Sequence, residues 1–106
     1  MTFQEFQQAA LRTSAAPFPE RERPMVQTLG LCGEAGEVAE MVKKASWHGK
    51  PVDPMRMHDE LGDVLWYVAD LASHYGLSLE LIAFGNIDKL RRRYPEGFTV
   101  GGGVRE

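Results

Sequence analysis

The sequence predicts an all-α fold, a four-helix bundle with two long central antiparallel helices, and three observations carry that prediction. Apolar residues recur at helical spacing in four separate stretches. No run of four or more residues alternates at period two with β-branched side chains. Each helical stretch is bounded by a cap or a breaker.

The first helix runs from about Phe3 to Arg12, opened by the capping box "TFQE", with Thr2 as N-cap and Glu5 three residues on. "TSAAPFPERERP" follows, and its three prolines make it a linker. Pro24 suits the first turn of a second helix that continues to about Trp47. "HGKPVDP" interrupts the chain. Asp53 then caps a third helix, with Pro54 at its first position, and Gly76 stops it just after Tyr75. Ser78 caps a fourth helix that ends before Pro95. "GFTVGGGVRE" has little to bury. The chain therefore divides into one domain over 1–98 and a mobile tail over 99–106.

The bulk properties bound the function. The 106 residues suffice for one core, and 43% hydrophobic with 25% charged residues is ordinary for a globular domain. A net charge of −3 gives no electrostatic reason to bind bulk nucleic acid. The lone Cys32 cannot form an internal disulfide and fits a reducing compartment. "MTFQEFQQAA" has neither the basic nor the apolar region of a secretory signal. No apolar run approaches the roughly 20 residues of a membrane span, so a cytoplasmic protein without a membrane partner is expected.

The acids are the chemical signal. "GEAGEVAE" and "DELGDVLWYVAD" crowd carboxylates onto the two central helices. On the second helix, with an apolar face of Leu31, Ala35, Val38, Val42 and Ala45, Glu34 lies roughly 50° from the centre of that face and Glu37 roughly 110°. On the third, with a face of Met57, Leu61, Val64, Val68, Leu71 and Tyr75, Glu60 lies roughly 70° away and Asp63 roughly 130°. Glu40 and Asp59 point nearly opposite and read as a solvated face. If the helices pack side by side, Glu34, Glu37, Glu60 and Asp63 converge, and like charges so placed repel. Two readings follow: a divalent-metal site, whose all-oxygen donors favour Mg²⁺, Mn²⁺ or Ca²⁺, or an ion-pair network with Lys43, Lys44, Arg56 and Arg91 to Arg93.

The fourth helix places Asn86 within about 50° of the centre of its apolar face, with Lys89 and Arg93 at helical spacing beside it. Amide and cations suit an entering phosphate; alternatively, the cations neutralise the acids across the bundle. Gly30, Gly33 and Gly36 inside the second helix suggest close approach by a helix or a ligand. Met25, Leu29 and Cys32 give that helix a second apolar side. Trp47, Trp66 and Tyr67 read as core before base-stacking residues, and no Glu-x-x-His pair of a di-iron bundle is present.

"GLCGEAGEVAEMVKK", "DELGDVLWYVADLA" and "NIDKLRRRYPEGF" together resemble the MazG-like all-α nucleotide pyrophosphohydrolases over about residues 25 to 98. The ExxE…ExxD motif of that family is matched by Glu34-x-x-Glu37 and Glu60-x-x-Asp63. The resemblance implies a Mg²⁺-dependent enzyme, with Mn²⁺ a substitute, that cuts an NTP or dNTP into a nucleoside monophosphate and pyrophosphate. It implies that the four acids are the metal ligands and catalytic residues, one of them helping to activate the attacking water. It implies further that Asn86, Lys89 and Arg93 bind the phosphates, with Gln7 a candidate for the base pocket. The partner set is then a nucleoside triphosphate and a second copy of the chain, as homodimer or homotetramer, in a house-cleaning role. Two alternatives stay open: phosphoribosyl-ATP pyrophosphohydrolase, and a non-enzymatic helical interaction module.

Overall fold

The computed structural model describes residues 1–14, 18–98, 100 and 101. The expected tail over 99–106 thus falls, apart from Val100 and Gly101, outside the described residues. Four α-helices form: α1 Phe3–Leu11, α2 Arg23–His48, α3 Pro54–His74 and α4 Leu79–Arg93. A 3₁₀ turn over Glu20–Glu22, which the proline-rich reading did not foresee, leads into α2.

The ends are set by the local chemistry expected of them. Thr2 Oγ1 accepts from the Glu5 amide at 3.1 Å while Glu5 accepts from the Thr2 amide at 3.0 Å, closing the capping box. Asp53 accepts from the Met55 amide at 3.0 Å, and Ser78 from the Leu81 amide at 3.2 Å. Gly49 and Gly76 end α2 and α3 at φ of 65° and 66°, a left-handed conformation that a β-carbon would strain.

α2 and α3 pack side by side and antiparallel. Gln27 faces Asp70, and Gly30 faces Tyr67, so numbers rise on one helix as they fall on the other. Gly30 is required here: a Cβ on it would lie 2.2 Å from the Tyr67 ring. Gly33 and Gly36, by contrast, look into open space within the chain. α1 lies across α3, where the small Ala10 and Ala69 allow close approach. With Leu79 they form the core, against which Phe6, Leu65, Trp66 and Val68 pack. Trp66 Nε1 donates to Thr13 Oγ1 at 2.8 Å.

One side chain ties this junction together. Gln7 Nε2 donates to Ser73 Oγ and to the Leu77 carbonyl at 3.1 and 2.8 Å, and Gln7 Oε1 accepts from the Leu79 amide at 2.8 Å. These three contacts, which use both amide N–H groups and the amide oxygen, clamp α1 to the α3–α4 turn. Gln7 is a structural clamp, and the expectation that it reads a base is corrected.

Three further expectations change. Among the described residues α4 packs on α1 and α3 and not on α2, so the four helices do not close into a bundle within one chain. The apolar face of α3 is rotated from the expected one. Ala69 and Ala72 are buried, while Leu61 and Tyr75 are exposed, because α1 claims a flank that the helical wheel had not weighted. Trp47, 85% exposed, is not core. Among the described residues no helix is long and apolar enough to cross a membrane.

Candidate metal centre

The antiparallel register of α2 and α3 brings Glu34, Glu60 and Asp63 together. Each offers a carboxylate oxygen within 4.8 Å of the others, with Glu34 and Glu60 half-buried and Asp63 exposed. The ExxD spacing puts Glu60 and Asp63 one turn apart on α3, so both can meet a residue of α2. Glu37 is exposed and stands outside this trio. It lines instead a cavity of about 280 Å³ at the α2–α3 turn, with Lys44, Lys50 and Arg56.

The electrostatics are those of an uncompensated acid cluster. The Glu34 carboxyl is held above its ordinary pKa, first by desolvation, then by a hydrogen bond with Glu60 and by the charges of Asp63, Glu60 and Glu37. Among the described residues no Lys, Arg or His forms an ion pair with any of the four motif acids. Lys43 and Lys44 reach Glu40 instead, at 3.8 and 3.6 Å. His58 lies 3.2 Å from Asp59, and Arg92 pairs with Asp88. Glu40 and Asp59 thus occupy the solvated faces expected of them. The ion-pair reading of the motif acids finds no partners, whereas three hard oxygen donors at mutual reach fit a divalent cation of the Mg²⁺ or Mn²⁺ type.

The remaining site residues expected from sequence stand on α4. Asn86 and Lys89 are exposed on α4, and Arg93 is half-buried with its Nε unpartnered. Among the described residues α4 packs on α1 and α3 and not on α2, the helix that carries Glu34.

A model of the MazG nucleotide pyrophosphohydrolase domain matches residues 24–98. The chain belongs to that family. The match spans the second, third and fourth helices and all four motif acids, and leaves out α1. The chain is 41% identical over 80 residues to Gene 37 protein of Mycobacterium phage L5, covering 72% of this chain and 70% of that one. It is 33% identical over 81 residues to human dCTP pyrophosphatase 1, covering 69% of this chain and 46% of the relative. The rat protein of the same name is 31% identical over 87 residues, with 74% and 50% covered. The chain thus spans about half the length of the two mammalian relatives. No solved structure gives a significant match.

Sequence reasoning missed one polar feature of the MazG helix pair. Gln27 and Asp70, each 4% exposed, face one another between α2 and α3, and Gln27 Nε2 donates to Asp70 Oδ2 at 2.7 Å. The signal was available: a glutamine in "MVQTLGL" and an aspartate in "YVADLA" each interrupt an apolar stretch.

Proposed function

We propose that this MazG-family chain is a Mg²⁺-dependent nucleoside triphosphate pyrophosphohydrolase, releasing a nucleoside monophosphate and pyrophosphate. The observation that carries the reading is the convergence of Glu34, Glu60 and Asp63 with no ion pair to a protein cation among the described residues. When bound there, Mg²⁺ supplies positive charge against the carboxylates and the triphosphate alike. In this reading Glu37 is a fourth ligand, since its exposed side chain, one turn from Glu34, is able to turn toward the trio. A motif carboxylate holds a water and accepts its proton as the water oxygen attacks the α-phosphorus. The bond from the α-phosphorus to the bridging oxygen breaks, and pyrophosphate departs with the electron pair. No Ser or Cys nucleophile is needed.

Asn86, Lys89 and Arg93 are proposed to meet the departing phosphates. Because α4 stays clear of α2 within the chain, they are proposed to reach the acids from the α4 of a second copy. This makes the working enzyme a homodimer or homotetramer. The uncovered apolar side of α2, with Leu29 65% exposed, supports that assembly.

The test is to incubate the protein with Mg²⁺ and a panel of ribo- and deoxynucleoside triphosphates together with phosphoribosyl-ATP, and to quantify pyrophosphate. Release that EDTA abolishes is expected with nucleoside triphosphates. No release from any substrate would return the chain to the class of helical interaction modules.

A further inference from the structure

Two oxygens between α2 and α3 have no hydrogen-bond partner among the described residues. Gln27 spends its amide N–H groups on Asp70, at 2.7 Å to Oδ2 and 3.3 Å to the backbone carbonyl. This orientation leaves Gln27 Oε1 and Asp70 Oδ1 buried and without a hydrogen bond among the described residues. Such orphans are costly, on the order of 1–3 kcal/mol each when neutral and more when charged. Both are acceptors, so only a donor satisfies them. Both residues line a cavity of about 150 Å³ whose other walls include Phe18, Trp66, Tyr67 and Arg23, the last donating from Nη2 to Ser14 Oγ at 3.2 Å. A pocket with aromatic walls and two buried acceptors is built for a flat ring that carries N–H groups.

Its position relates it to the acids. Gln27 precedes Glu34 by seven residues and Asp70 follows Asp63 by seven, which places the pair about 10 Å along the helices from the acid trio. That offset is what a nucleotide requires if its α-phosphate sits at the acids and its base lies beyond the sugar. Tyr67 and Gly30, packed against each other, form the intervening turn.

We propose that Gln27 and Asp70 are specificity-determining residues that select a base bearing an exocyclic amine and reject one with a carbonyl at that place. This deepens the pyrophosphohydrolase reading and rests on it. An amine donates one N–H to Gln27 Oε1 and the other to Asp70 Oδ1. A carbonyl there would set three acceptor oxygens against one another with no proton between them. The two orphan oxygens lie beneath the pocket wall, so Phe18, exposed at the rim, turns aside as the base enters.

Cytosine and uracil nucleotides test this, because their rings match in size and differ at the exocyclic group and at N3, an acceptor in cytosine and an N–H in uracil. With Mg²⁺, dCTP is expected to exceed dUTP in kcat/KM by about ten-fold or more. If both are cut equally, or dUTP faster, this inference falls while the hydrolase reading stands. If neither these nor any other triphosphate is cut, the hydrolase reading falls. Binding then decides the pocket on its own: in EDTA, dCMP should shift the NMR resonances of Trp66 at lower concentration than dUMP. Equal affinities would overturn the inference whatever the activity. Asp70→Asn, with helix content checked by circular dichroism, should erase the preference, and its persistence in a folded variant would also overturn it. If that variant does not fold, the wild-type comparisons decide.

Discussion

At the scale of single residues, the acids of α2 and α3 divide into two groups by what surrounds them. Glu40 has two lysines and Asp59 has a histidine, whereas Glu34, Glu60 and Asp63 have one another. Glu34→Gln and Glu60→Gln are each expected to lower turnover by at least about a hundredfold, as loss of a charged group that stabilises the transition state does, with helix content unchanged by circular dichroism. Glu40→Gln and Asp59→Asn should leave the rate within about two-fold, since exposed ion pairs contribute about 0–1 kcal/mol. Equal damage from all four substitutions would mean that the register of α2 on α3 is wrong. The raised Glu34 pKa makes a second prediction. Its carboxyl keeps a proton to higher pH folded than unfolded, so between those two values the native state binds more protons. The Glu34 contribution to metal-free stability is therefore largest at low pH and declines as pH rises through that window, just above the ordinary carboxylate range. Melting temperatures in EDTA should show this decline relative to Glu34→Gln, which lacks it. Millimolar Mg²⁺ should raise the melting temperature, and most at the high-pH end, because the ion competes with the proton for the same oxygens.

At the scale of elements, the pairing of α2 with α3 depends on Gly30. An alanine in an open helix position gains about 1 kcal/mol over glycine, and that is the expectation for a glycine facing water. At Gly30 the new methyl would meet the Tyr67 ring at 2.2 Å, and that ring stands edge-on to Trp66 with centroids 5.0 Å apart, so it has little room to yield. Gly30→Ala should therefore destabilise the protein by about 1–3 kcal/mol, the usual cost of overpacking. Chemical denaturation at equilibrium measures it, and a gain in stability would show that Tyr67 moves freely. Gln7 matters comparably at the other end of the molecule, because it bonds α1 to both Ser73 and the start of α4.

At the scale of the whole molecule, one chain looks unfinished. Its radius of gyration is 16.8 Å, against about 13 Å for a compact domain of this length. The large side chains Phe84, Ile87 and Leu81 on α4 are exposed, as are Met25 and Leu29 on α2. Surface of this kind is usually covered by a partner, and Gly33 and Gly36 beside it leave room for a neighbouring backbone. In the proposed assembly Leu29→Asp puts a charge into an apolar interface and should dissociate the oligomer, with loss of activity. Light scattering checks this. A wild type that is active and monomeric at micromolar concentration would refute the assembly, and with it the delivery of Asn86, Lys89 and Arg93 by a second copy. Gly36→Ala separates the same alternatives more gently: it should stabilise an isolated chain and weaken one whose glycine lies under a partner.

The sequence by itself determined the helices, their ends and the identity of the acids. These are local matters: the capping box at Thr2, Asp53 and Ser78 as N-caps, and the glycines after α2 and α3 act within a turn of where they stand. The inward half of a helix is likewise readable from 3.6-residue periodicity, which is why Glu34 and Glu60 were separable from Glu40 and Asp59. Only the tertiary structure decided which acids share oxygens within 4.8 Å, because that depends on the relative height and rotation of two helices and not on either alone. It also decided that α1 takes a flank of α3, turning the buried face toward Ala69 and Ala72, and that α4 stays off α2. The partners of Gln7 and the pairing of Gln27 with Asp70, as distinct from the polar interruptions themselves, lay beyond sequence reasoning for a related reason. A hydrogen-bond partner 43 to 72 residues away leaves no periodic trace, since periodicity records which way a side chain faces and not what it meets there.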